Sequence, residues 1–169
     1  RTHALGIEFS CLCLDRGMAH PCAFVPTPAS TPGEAPVAKM ERVCRKLALK
    51  PGERVIEAGC GWGGLALYMA RHYGVTVRAV NVSGEQIAYA RDRARTEGLA
   101  DRVEFVEDDY HNVRGRYDAF VSVGMIEHVG LADFAALGAV IAGSLTDRGL
   151  GLLPFIGRNR PSPLILWIR

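Results

Sequence analysis

The sequence lacks any apolar run near the roughly 20 residues that a membrane-crossing helix needs; its longest, at 150–156 and 164–168, fall far short. It also lacks an excess of charge of one sign. Twenty Lys+Arg stand against eighteen Asp+Glu, a formal net charge of +2, so no broad field argues for nucleic acid as a partner. Cysteines number five, an odd count without the spacing of a disulfide framework. Cys11, Cys13, His20 and Cys22 lack the paired spacing of structural zinc sites, so no metal is expected. No basic-then-apolar leader follows Arg1, and the expected setting is reducing and cytoplasmic. The opening on Arg1 rather than Met, and the apolar close at 164–168, read as a segment of a longer protein. What is present, 169 residues at 49% hydrophobic and 22% charged, suits one ordinary globular domain.

Residues 26–36, rich in Pro, Ser, Thr and Gly, separate an N-terminal arm (1–36) from a core (37–169). Val37, Met40, Val43, Cys44 and Leu47 recur at helical spacing, with Cys44 on the apolar face. An alternation follows. Strands are expected at 54–58, 75–82, 103–106, 117–123 and 149–156, and helices at 65–73, 84–97 and 132–145. Gly74 and Gly98 supply stops, and Ser83 with Gln86 forms a capping-box pair. Strands alternating with helices imply an α/β fold with a doubly wound, mostly parallel sheet and helices on both faces. Ligands in such folds bind beyond the carboxyl ends of the strands, at the point where strand order reverses.

The first turn is the place to look. Glu57-Ala58-Gly59-Cys60-Gly61-Trp62-Gly63-Gly64 follows a strand and opens a helix, the context in which a glycine motif holds a ligand. Glycine lets backbone approach where a Cβ would collide and permits positive φ. The string fits G-x-G-x-x-G through Gly59, Gly61 and Gly64, and G-x-G-x-G through Gly59, Gly61 and Gly63. A dinucleotide site usually places a carboxylate about 20 residues on, at the end of the second strand. Asn81 stands there, which disfavours a nicotinamide oxidoreductase, and Glu57 suits a ligand with a positive centre such as S-adenosylmethionine. Asp108 or Asp109 can accept from an adenine amine, or both are solvated loop acids. Trp62 either covers the ligand or plugs the core, and Arg158-Asn159-Arg160 is either a phosphate-reading patch or a solvated turn.

The stretch from Val55 to Gly130, carrying Glu57 to Ala66, Asn81-Val82-Ser83-Gly84-Glu85-Gln86 and Val121-Ser122-Val123-Gly124-Met125-Ile126-Glu127-His128-Val129-Gly130, resembles the cyclopropane-fatty-acyl-phospholipid synthases. That family includes the mycolic acid cyclopropane synthases. The likeness runs from Phe9 and Cys22-Ala23-Phe24 to Ile156-Gly157-Arg158-Asn159-Arg160 and Trp167-Ile168-Arg169.

The resemblance implies a Rossmann-like class I methyltransferase core, shortened at its C-terminus, with S-adenosylmethionine as cofactor. It places cofactor binding at Glu57, Gly59, Cys60, Gly61, Gly63, Asn81, Ser83, Gln86, Asp108 and Asp109. The implied substrate is an unsaturated acyl phospholipid, met in transient contact with the membrane surface, whose cis double bond accepts the methyl before ring closure. An alkene is a weak nucleophile, so orientation in a dry cavity must supply several kcal/mol, up to about 11. The implied base is a bicarbonate held at Cys22, the Val123 carbonyl and Glu127, with a histidine and a tyrosine. Pro154 occupies the histidine position, and the tyrosine position lies past Arg169. His3-Ala4, Ile7-Glu8 and Asn81 also depart from the family pattern. The alternatives are a related lipid C-methyltransferase without ring closure, or a catalytically impaired S-adenosylmethionine-binding fragment.

Overall fold

Strands covered on both faces read as near-continuous apolar runs, and β1 (Arg54–Ala58) buries every residue after Arg54. The computed structural model describes residues 34–156. Residues 1–33 of the expected arm (1–36), with Cys11, Cys13, His20 and Cys22, and residues 157–169, with Arg158-Asn159-Arg160, lie outside the described residues. Around β1 lie β2 (Thr76–Asn81), β3 (Val103–Glu107), β4 (Tyr117–Val121) and β5 (Leu145–Leu152). They form one sheet in the order β3-β2-β1-β4-β5, with every pairing parallel. The chain winds outward from β1 to β3 and then crosses to β4 on the other side of β1. The strand order therefore reverses between β1 and β4, and the carboxyl ends of all five strands share one rim.

Helices α1 (Glu34–Lys46), α2 (Gly64–Tyr73) and α3 (Gly84–Thr96) cover one face. Val43, Cys44, Leu67, Met69, Ile87 and Ala90 pack there with Val55, Val77 and Phe105. On the other face Ile56, Val80 and Phe120 meet Leu137 of α4 (Phe134–Ser144). Arg91 Nε donates to the Phe105 carbonyl at 2.9 Å, covering part of the free edge of β3. No helix among the described residues is long and apolar enough to cross a membrane.

Several boundaries differ from the sequence expectation. Helix α1 starts at Glu34, so Pro36 lies in its first turn, where the missing N–H has no intrahelical partner to lose. Strand β4 ends at Val121 rather than at residue 123, and α4 starts at Phe134 after a 3-10 turn, Leu131–Asp133. Strand β5 starts at Leu145 rather than at residue 149. The cause is a bulge: Tyr117 pairs with Leu145, yet Ala119 pairs with Leu150. Only Leu150 to Leu152 run in regular register with Ala119 to Val121, which is the part that hydrophobic patterning detects. Residues 153–156, expected as strand, leave the sheet.

Candidate functional site

The rim collects Gly59 after β1, Asn81 at the end of β2, Glu107 at the end of β3 with Asp108 and Asp109 after it, and Ser122 to Met125 after β4. The β1–α2 turn is tied down first. The N–H groups of Gly59 and Cys60 both donate to the Val80 carbonyl, at 2.9 and 3.2 Å, and Gly63 N–H donates to the Cys60 carbonyl at 2.9 Å. Gly59, Gly61 and Gly63 all have positive φ, of 77°, 53° and 81°, which a side chain would strain. Their surroundings differ. A Cβ on Gly63 would stand 2.6 Å from Phe105 Cζ and 2.9 Å from Ala90 Cβ, so this glycine lets α2 pack onto β3 and α3. A Cβ on Gly59 would stand 3.2 Å from the Met125 side chain. Around Gly61 no described residue lies within 4 Å of the Cβ position. Among the described residues, Gly61 alone of the three opens onto free space, where a ligand can reach the backbone.

Glu57 is 3% exposed and points under the helices. Its carboxylate accepts the Ala66 N–H, in the first turn of α2, while Oε2 is buried without a partner. Burial pushes its pKa up to about 8, and the Ala66 bond opposes that rise. Burial likewise pushes the Cys44 thiol up to about 12, and raises that of Cys60, with Glu57 adding to both. Neither thiol is a nucleophile in this setting. Trp62 is 3% exposed and meets Tyr89 of α3 edge-on, with ring centroids 5.3 Å apart.

At the end of β2, Asn81 Nδ2 donates to Gln86 Oε1 at 2.6 Å. Ser83 caps α3 by accepting the Gln86 N–H at 3.4 Å, while the Gln86 side chain turns to Asn81 instead of returning to Ser83. The capping box is thus half formed. The two acids after β3 are engaged locally. Asp108 Oδ1 accepts Asn112 Nδ2 and the Asp109 N–H, both at 2.7 Å, and these bonds lower its pKa. Asp109 Oδ1 accepts the His111 N–H at 2.9 Å and meets His111 Nδ1 at 2.6 Å; the backbone bond leads in lowering its pKa. Two rim residues escaped sequence reasoning. Met125 faces Gly59, and the Glu107 carboxylate lies against Gly84, 2.9 Å from where a Cβ would stand. The register Asn81↔Glu107 follows from strand pairing, which no local motif encodes.

A family profile described as mycolic acid cyclopropane synthetase matches residues 2–164. The chain belongs to this family. A probable fatty acid methyltransferase of Pseudomonas putida is 41% identical over 141 residues, covering 82% of this chain and 36% of the relative. The cyclopropane-fatty-acyl-phospholipid synthase of Escherichia coli K12 is 41% identical over 156 residues, covering 92% of this chain and 40% of the relative. The mycolic acid cyclopropane synthase CmaA1, solved with SAH and CTAB, superposes with a TM-score of 0.83 at 26% identity, over 86% of this chain and 51% of that one. The chain spans roughly two fifths of the length of the curated relatives it matches. Its fold is the Rossmann-like class I methyltransferase fold.

Of the catalytic set that the family resemblance implied, Val123 and Glu127 lie among the described residues. Cys22 is outside the described residues. Val123 is partly buried against the main core cluster. Glu127 lies in an exposed 3-10 turn, Ile126–His128, and its Oε1 accepts the Ile156 N–H at 2.9 Å. Gly124 N–H donates to the Pro154 carbonyl at 3.1 Å. The segment after β5 is thereby laced to the turn after β4.

Proposed function

We propose that this chain is the cofactor-binding core of an S-adenosylmethionine-dependent methyltransferase acting on the double bond of unsaturated acyl lipids. The observation that carries the reading is the β1–α2 turn: Gly61, at φ 53° and with free space over it, beside the Asn81–Gln86 amide pair on the same rim. Both features suit a nucleoside with an amino-acid tail. The open backbone at Gly61 can approach the tail, and the amide pair, through Gln86, can bond the ribose. Gly59 would frame the loop, Cys60 would line it through its backbone, and Ser83 would hold Gln86 in place. Asp108 or Asp109 would offer a free carboxylate oxygen to the adenine amine. Glu57 would act from below, holding the first turn of α2. When bound, the cofactor supplies an electrophilic sulfonium methyl. The chain's part is to fix that methyl relative to the acyl chain and to exclude water, the conditions under which a weak nucleophile reacts.

Bicarbonate fits the described residues poorly. Bicarbonate has one O–H to give and needs donors for its other oxygens; the Val123 carbonyl and the Glu127 carboxylate can only accept that O–H, one Glu127 oxygen is already bonded, and Pro154 brings neither N–H nor titratable group. An anion needs donors. This favours a second reading at the level of product, methyl transfer without ring closure, over cyclopropane synthesis. The proposed lipid partner brings the protein into transient contact with a membrane surface in the cytoplasm.

Isothermal titration of S-adenosylhomocysteine into the chain, with NADH as control, tests the core reading. Saturable binding of the first alone, lost in Gly61→Val, is expected; a folded chain that binds neither ligand rejects it. For the product, S-adenosylhomocysteine formed only with unsaturated phospholipid, and acyl chains that gain CH2 yet keep a double bond, as a methylene branch or a methyl-bearing alkene told from the isomeric ring by proton NMR, would support the second reading.

A further inference from the structure

An amide side chain has one accepting end and one donating end, and around Asn81 the backbone decides which is which. Val82 N–H can only donate, and it meets Asn81 Oδ1 at 3.1 Å. Asn81 Nδ2 must therefore face the other way, where it donates to Gln86 Oε1 at 2.6 Å. The oxygen of Gln86 is then committed, and Nε2 is the end left for a ligand. Reversing the Gln86 amide would set its Nε2 donor against the Asn81 Nδ2 donor, and Gln86, at 7% exposed, has little water to compensate. Asn81 itself has both ends engaged, by Val82 and Gln86.

We propose that Asn81 is a positioning residue rather than a ribose ligand: it relays the polarity of the Val82 N–H to Gln86, so that the end of β2 offers the ribose N–H donors where a carboxylate would offer only acceptors. The proposal rests on the S-adenosylmethionine reading above and assigns a division of labour within that site. A strand end carrying Asp or Glu accepts from ribose hydroxyls; this one donates to their oxygens.

Asn81→Asp separates the two roles. A carboxylate in place of the amide cannot donate to Gln86 Oε1, so Gln86 is pushed out of its orientation and affinity for S-adenosylhomocysteine falls by about tenfold, the worth of one hydrogen bond. A direct ribose ligand would predict equal or tighter binding in the Asn81→Asp variant, since an acid is the kind of residue usual at this position. In a double-mutant cycle, Asn81→Ala weakens binding in the wild type and adds nothing in a Gln86→Ala background. Additive losses overturn the relay. A measurement without ligand completes the test. In 15N–1H spectra of the full chain, the Asn81 side-chain amide resonance shifts in Gln86→Ala, and an unmoved resonance overturns the pairing. A chain that shows this coupling but binds no S-adenosylhomocysteine overturns the cofactor reading and the proposal with it. Binding that survives Asn81→Asp undiminished overturns the proposal alone.

Discussion

On the β1–β3 side of the sheet, three helices of mixed polarity turn their apolar faces inward, and the core there includes Val55, Ala66, Met69, Val75 and Ala90, all fully buried. On the β4–β5 side, α4 has the sequence FAALGAVIAGS, with no charged residue, yet buries only Leu137 and Ser144. Leu131, Phe134, Leu150, Phe155 and Ile156 stand exposed around it. A helix that is apolar all round is ordinarily enclosed. The contrast teaches that the face under α1–α3 encloses its core, with Ala119 and Val121 of β4 joining the residues of β1–β3, while the face under α4 leaves more apolar surface open among the described residues. Amphipathic period, which names an inward face, is present in the first half and missing from α4.

Glycine substitutions break the comparison most sharply. Gly63→Ala drives a Cβ into Phe105 and Ala90 at 2.6 to 2.9 Å while holding φ at 81°. Overpacking and left-handed strain together cost about 3 kcal/mol or more, read as a lower urea midpoint and loss of S-adenosylhomocysteine binding. An unchanged midpoint would mean that the turn is looser than its packing implies.

Next in size is the pH dependence set by Glu57. Its folded pKa, about 8, lies above the ordinary 4.5, so between those values the folded state holds a proton that the unfolded state has released. The Glu57 contribution is therefore full below about pH 4.5 and declines as pH rises, with a slope approaching about 1.4 kcal/mol per pH unit until Glu57 ionises near 8. Glu57→Gln keeps an acceptor for Ala66 and cannot ionise. Urea titrations at pH 5.5 and 8 should show wild type losing ground to the variant at the higher pH; parallel behaviour would place Glu57 in a wetter site than its burial states.

Most of the β1–β3 half was legible because its signals are local. The apolar run at β1, the glycine turn, the stops at Gly74 and Gly98, and the cap at Ser83 each sit within a few residues of what they control. Illegible parts depend on neighbours distant in sequence. Spacing treats Gly59, Gly61 and Gly63 alike, yet Phe105, 42 positions after Gly63 by their numbering, decides that one is a packing contact. The same holds for Glu57 turning under α2, for Glu107 reaching Gly84, and for the Ile156 N–H that engages Glu127. The early start of β5 was hidden by polar residues inside its bulge.

A smaller effect of opposite sign is expected on α4. Gly138 and Gly143 lie inside the helix with no described residue within 4 Å of a Cβ and no positive φ. Either change to Ala should stabilise by about 0.5–1 kcal/mol through helix propensity, against the large loss at Gly63. A loss at either position would show that α4 packs more tightly than its exposure states.

The smallest stability effect belongs to the exposed apolar residues, and there the sharper readout is surface chemistry. Leu131 is 85% exposed and Phe155 62%, so Leu131→Ser and Phe155→Ser should each move stability by less than about 0.5 kcal/mol. Together they should cut the fluorescence of a hydrophobic dye bound to the chain and weaken its retention on vesicles of unsaturated phospholipid. Affinity for S-adenosylhomocysteine should stay at the wild-type value, because the proposed cofactor rim of β1–β3 owes these residues nothing. A parallel drop in cofactor affinity would join the two halves into one cooperative site and dissolve the contrast between them.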